Sequence, residues 1–148
     1  MNQKQSIPAL VPMTAATRKK PYMHDDQLAY FRARLIESLR TKEEKLAVTR
    51  FELNPMEHEA QSDDNDRASQ EEQMSNARAS CERLLREIPA VREAIKRLNA
   101  GEYGYCVDTG EEIGLDRLIA VPTAIRTVSS QGRTERANSL YRMEAQAA

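Results

Sequence analysis

The feature that most constrains this chain is a stripe of apolar residues, Met74, Ala77, Cys81, Leu84, Ile88, Val91, Ile95 and Leu98, in which steps of three and four alternate without a miss. A stripe this narrow suits a helix that buries one seam against a single partner helix. The partner lies upstream, where Leu28, Phe31, Leu35, Leu39, Leu46 and Leu53 recur at helical intervals after Asp25 and Asp26. Either aspartate can cap the first free amides of that helix. Between Asn54 and Asp66 the stripe dissolves into Pro55, His58, Gln61 and an acidic cluster, the composition of a connection. A short connection makes consecutive helices antiparallel. The pattern therefore predicts a long coiled-coil hairpin over residues 25–99, with an acidic tip near 60–68 and a base near Asn99. At ~1.5 Å per residue it would project on the order of 40 Å.

Pro89 falls inside the second stripe. Its missing amide and bulky ring predict a bend there, or a break and restart, because an internal proline can cost about 3 kcal/mol. Outside the hairpin the pattern is weaker. Residues 1–24 mix Gln, Pro, Thr and Lys without a period and read as a flexible tail. Gly101 should stop the second helix, and residues 100–148 read as a small separate domain. Within it, Tyr103, Tyr105 and Cys106 precede a turn at Asp108 to Gly110, and alternation on both sides suggests a small β-hairpin. Leu115 to Ala120 can form a short helix ended by Pro122. Ser129 or Ser130 could cap a last amphipathic helix carrying Ala137, Leu140, Tyr141 and Met143.

Composition agrees with an all-helical hairpin. Apolar residues make up 40%, aromatics 5% and charged residues 30%, with no Trp, which favours solvated helices over a thick core. Lys plus Arg number 22 and Asp plus Glu 23, a net charge of −1, so the broad basic surface needed for direct DNA binding is missing. Cys81 and Cys106 are the only thiols and fall in different segments, which suits a reducing cytoplasm. The nearest thing to an export signal, Ile7 to Met13, is interrupted by Pro8 and Pro12, and no stretch has the length of a membrane span. No oriented nucleophile, phosphate loop or metal cluster suggests an enzyme.

Two segments carry a family likeness. One is Asp63-Asp64-Asn65-Asp66-Arg67-Ala68-Ser69-Gln70-Glu71-Glu72; the other is Glu102-Tyr103-Gly104-Tyr105-Cys106, continuing through Gly110 to Gly114, Arg117-Leu118 and Pro122-Thr123-Ala124. In this order and spacing they resemble the DksA family of RNA polymerase regulators, which includes the TraR proteins. The likeness runs from about Met23 to the C-terminus. It implies a hairpin that enters the secondary channel of RNA polymerase, and an Asp-x-x-Asp-x-Ala tip that modulates open promoter complexes, matched here by Asp63, Asp66 and Ala68. It implies RNA polymerase as the partner, no DNA contact, and action as a monomer in the cytoplasm. Taken alone, the acidic cluster reads as a solvated helix start. Two carboxylates near a helix N-terminus nevertheless share roughly one face and are favoured by the helix dipole. A calcium loop is discarded, since Arg67 sits where a ligand and Ala68 where Gly is needed.

The family often carries a four-cysteine zinc site. Its positions here read Cys106, Thr109, Thr127 and Ser130, so the resemblance implies a zinc-finger-like domain without zinc. His24 and His58 read as surface residues rather than substitute ligands. Packing of Ile113, Leu115, Leu118, Ile125 and Val128, with hydrogen bonds from the three hydroxyls, would have to offset the lost metal. Cys106 reads as a small buried hydrophobe, with a redox sensor as the alternative. Many family members also work with guanosine tetraphosphate at the polymerase interface. Of the matching positions this chain keeps Arg83 but shows Ala90, Val121 and Gln131, which implies weakened synergy. Two other functions compete: a transcript-cleavage factor of the Gre type, whose tip carboxylates hold a Mg²⁺ in the polymerase, and a plain oligomerising coiled coil.

Overall fold

Helix α1, Asp25–Glu52, begins not with an aspartate cap but with His24. The His24 ring Nδ1 accepts the Asp26 amide at 3.3 Å, and the Gln27 side-chain oxygen accepts the His24 amide at 3.2 Å, a reciprocal cap that Asp25 and Asp26 only flank. Both carboxylates still lie in the first turn, where the helix dipole favours negative charge. This is a computed structural model, and it describes residues 21–54 and 64–147, with the side chains of 64–68 and 147 outside that description. Helix α2 is Asp64–Asn99, α3 is Leu115–Ala120 and α4 is Val128–Ala147. The fold is mainly α, as the stripes require, and no strand forms among the described residues.

Two compact units divide the chain: Ile36–Arg92, and the residues up to Leu35 together with those from Glu93 onward. In the first unit α1 and α2 run antiparallel. Lys42 pairs with Glu87, Glu43 accepts from Arg92 at 2.6 Å, and Thr49 and Glu52 line one groove with residues from Gln70 to Ser80. The expected seam is the buried one. Leu84, Ile88 and Val91 are buried, while Leu39, Leu46, Met74, Ala77 and Cys81 are half-buried. Burial thus fades along α2 toward its start, where Ser69 to Gln73 are all exposed.

Helix α2 runs through Pro89 without a break, so of the two expected outcomes the break and restart does not occur. Pro89 and its neighbour Ala90 are exposed, whereas Ile88 and Val91 face the seam. Pro89 thus sits off the buried stripe, at the open edge of a groove that Leu46 and Ala47 of α1 also line, and the stripe holds both flanks in register.

In the second unit Phe31, Leu35, Ala94, Leu98, Tyr103, Ile113 and Leu118 form the core. Gly101, at φ 77°, ends α2: the Glu102 amide donates to the Arg97 carbonyl at 2.9 Å and the Gly101 amide to that of Leu98 at 3.4 Å. These are the two bonds of a Schellman cap, which places glycine where φ must be positive. Tyr22 and Met23, which the sequence places in the tail, are docked on this unit. The Tyr22 hydroxyl donates to the Gly104 carbonyl at 2.6 Å and accepts the Gly114 amide at 3.2 Å, and Met23 covers the bare Cα of Gly104.

The expected β-hairpin reduces to one antiparallel bridge, Tyr105 with Glu112. Gly104, Gly110 and Gly114 all have positive φ, so the backbone turns too often for a ladder to extend. Helix α3 spans the residues expected of it. On α4 the stripe of Leu140, Tyr141 and Met143 is exposed rather than packed, so it is not a buried face within the described residues.

Candidate functional site

The first candidate is the acidic start of α2. Asp63 lies outside the described residues, as do Pro55, His58 and Gln61. Asp66 and Ala68 fall in the first turns of α2, where the backbone is helical and the side chains are outside the description. A helix start is where carboxylates gain most from the exposed backbone amides.

The second candidate is the knuckle built around Cys106, and here the structure brings all four expected positions together. The Cys106 amide donates to the Glu111 carbonyl at 2.8 Å, and the Gly110 amide returns to the Cys106 carbonyl at 2.9 Å, closing a tight turn. A second turn runs from Arg126 into α4. Its cap is Thr127, not Ser129 or Ser130: the Ser130 amide donates to Thr127 Oγ1 at 3.3 Å, and the Gln131 amide to the Thr127 carbonyl at 2.9 Å. The Val107 amide bonds the Ile125 carbonyl at 3.0 Å and so links the two turns.

Cys106 is 3% exposed at the centre. Burial pushes its thiol up, but the Thr109 hydroxyl, the amides of Thr127 and Asp108, and the Ser130 hydroxyl outweigh that and bring it down to about 6. Each hydroxyl has one proton, and carboxylates contest both: Ser130 donates to Asp108 at 2.5 Å and Thr109 to Glu111 at 3.0 Å. The two amides are then the steady donors to sulfur.

This donor set does not fit a structural zinc. One thiolate remains, and the three hydroxyls are poor, neutral ligands already engaged with Glu111, Ser129 and Asp108. No group of three or more His, Cys, Asp or Glu able to hold a metal occurs among the described residues. His24 is spent on the α1 cap. Of the residues expected to pack in place of the metal, Ile113 and Leu118 are buried and Leu115 and Ile125 half-buried, but Val128 is 70% exposed.

Further bonds in this unit come from side chains to which the sequence assigned no bonding role. Arg97, buried on α2, donates to the carbonyls of Glu102 and Tyr105 at 2.9 and 2.7 Å. Arg34 reaches the Ile119 carbonyl at 2.6 Å, Arg117 that of Arg126 at 3.0 Å, and Tyr103 that of Pro122 at 2.8 Å. Burial raises the Tyr103 phenol well above its ordinary value, so it stays a neutral donor. Long side chains thus satisfy the irregular backbone of a module too small for a thick core.

Arg83 is on the exposed side of α2, its Nε 3.9 Å from Glu87. It lines one groove with Lys42 and Lys45 of α1, a cationic neighbourhood that the stripes do not reveal. Val121 is exposed, and Gln131 bonds Glu135 at 2.8 Å.

A helical pair with an acidic start on its second helix, combined with a knuckle that has the layout of a zinc finger and a single thiol, defines a zinc-finger-like helical-hairpin protein. Residues 101–136 match the family described as the prokaryotic dksA/traR C4-type zinc finger. The chain is 38% identical over 125 residues, 83% of its length and 86% of the relative's, to the RNA polymerase-binding transcription factor DksA of Caulobacter vibrioides. It is 37% identical over 108 residues, 70% of its length and 68% of the relative's, to the factor of the same name from Escherichia coli K12. The solved structure of transcription factor DksA2 from Pseudomonas aeruginosa superposes with a TM-score of 0.66 at 34% identity, covering 80% of this chain and 90% of that one. The chain belongs to the DksA family, as a form that keeps one of the four zinc-site cysteines.

Proposed function

We propose that this protein is an RNA polymerase-binding transcription factor. The observation that carries this is the 38% identity, across 83% of the chain, to a relative bearing that name. The hairpin of residues 25–99 is the probe, which enters the secondary channel, and residues 100–148 are the docking base. Asp63 and Asp66, with Ala68 beside them, act near the polymerase active centre and modulate open promoter complexes, as at ribosomal RNA promoters. Asp66 belongs to the first turn of α2, and a helix start favours negative charge, which supports this reading. A net charge of −1 supports action through the polymerase without DNA contact. No helix among the described residues is long and apolar enough to cross a membrane, and the place of work is the cytoplasm with the polymerase.

The protein acts as a monomer, performs no catalysis of its own, and holds no zinc, since the knuckle closes on other bonds. Guanosine tetraphosphate adds to its effect only weakly: Arg83 has Lys42 and Lys45 nearby, but Lys42 is occupied by Glu87 and the other matching positions carry no charge.

Transcription in vitro from a ribosomal RNA promoter tests this reading. Asp66→Asn and Asp63→Asn should each abolish the effect while polymerase binding persists, because only charge at the tip is removed. Full activity in both variants would defeat it, and transcript cleavage in stalled complexes would put a Gre-type factor in its place.

A further inference from the structure

We infer that Asp108 does the work of the missing metal, its carboxylate clasping the Cys106 turn to the turn that begins α4. Arg126 Nε at 2.7 Å and Ser130 Oγ at 2.5 Å both donate to the same oxygen, Asp108 Oδ2. The acceptor belongs to the first turn and both donors to the second, so the contact spans the gap that a zinc ion bridges in a four-cysteine finger.

The donors are held in place independently of Asp108. Ser130 is 2% exposed, and its amide is capped by Thr127 Oγ1. Arg126 is fixed through its own carbonyl, which accepts from Arg117 Nε at 3.0 Å. Charge-assisted bonds of this length are stronger than neutral ones. The side chains of Arg126 and Asp108 are 27% and 39% exposed, so salt screens the pair less than it would a fully exposed one. Beside it the Val107 to Ile125 backbone bond is the neighbouring link, and it should depend on the clasp. The knuckle then closes by charge and hydroxyl rather than by coordination, and it is indifferent to chelators.

A double-mutant cycle in the full chain tests this, with Asp108→Asn and Arg126→Met read by thermal melting and by amide hydrogen exchange. Each single variant should lower Tm by about 2–4 °C, the shift expected for the loss of one such interaction in a chain of this length. The double variant should fall no further than the worse single one. Exchange at the Val107 amide should speed up on the order of tenfold, with the Leu84 to Val91 amides unchanged, since only the knuckle opens. A second arm restores coordination with Thr109→Cys, Thr127→Cys and Ser130→Cys together; in that zinc-loaded protein Asp108→Asn should leave Tm within about 1 °C. Additive losses in the cycle, or unchanged Val107 exchange, would overturn the clasp. So would an equal Asp108→Asn loss in the zinc-loaded form. Should the triple variant fail to take up zinc, the cycle and the exchange decide between the same two answers.

Discussion

Cys106 has changed its chemistry most among the residues of the knuckle. Where a four-cysteine finger would give its sulfur to a metal, here it sits among amides and hydroxyls that favour the thiolate. A thiol whose folded pKa lies below its unfolded value adds stability that is fully present above 9.0 and is lost as pH falls through the folded value, about 6. Thiolate absorbance near 240 nm should therefore titrate with a midpoint well below 9.0, toward about 6, in a step that Cys106→Ser removes. A midpoint at the ordinary thiol value would show that the donors do not reach the sulfur. Tyr22 makes a second residue-level case. Its hydroxyl serves Gly104 and Gly114 together, so Tyr22→Phe should cost about 1–2 kcal/mol in urea melts. Gly104→Ala should cost a similar amount, about 1–3 kcal/mol, because φ is 92° and a Cβ would stand 2.7 Å from Met23 Cε. Met23→Ala should relieve only the steric part of that loss.

Helix α2 shows how periodicity overrides a local breaker. Its stripe faces α1 within the unit Ile36–Arg92, and the neighbours Leu84 and Leu85 divide cleanly: 4% exposed against 46%. Leu84→Ala should destabilise by about 2–4 kcal/mol and Leu85→Ala by less than about 0.5, measured as shifts in the urea midpoint. Equal losses would mean the seam is misplaced by one residue. Pro89 lies on the exposed side of the same helix, so Pro89→Ala should stabilise, by up to about 3 kcal/mol, through the restored amide and better propensity. A loss instead would mean the proline shapes a seam contact. Helix starts were harder to read than helix bodies. Aspartates and serines are the usual caps, yet His24 and Thr127 do that work, because a cap depends on which oxygen or ring nitrogen meets the second or third amide.

For the molecule as a whole, excess chelator should leave the melting curve where it is, while purified protein carrying one equivalent of tightly held zinc would contradict the donor chemistry at Cys106, Thr109, Thr127 and Ser130. The antiparallel helical pair was legible in the sequence, since a seam of alternating three and four steps has one economical solution, an antiparallel partner. The loss of three of the four zinc-site cysteines was legible too. How the knuckle's two turns bond to each other was not. The sequence assigned no bonding role to Arg34, Arg97 or Arg117, and Asp108 reads as a turn residue. Their roles come from side chains that meet backbone carbonyls outside any helical period, such as Arg34 with the Ile119 carbonyl. Hydrophobic burial repeats with the helical period and so leaves its mark in one dimension. A directional bond between a side chain and a distant carbonyl has no period, and it exists only once the chain has brought the two within about 3 Å of each other.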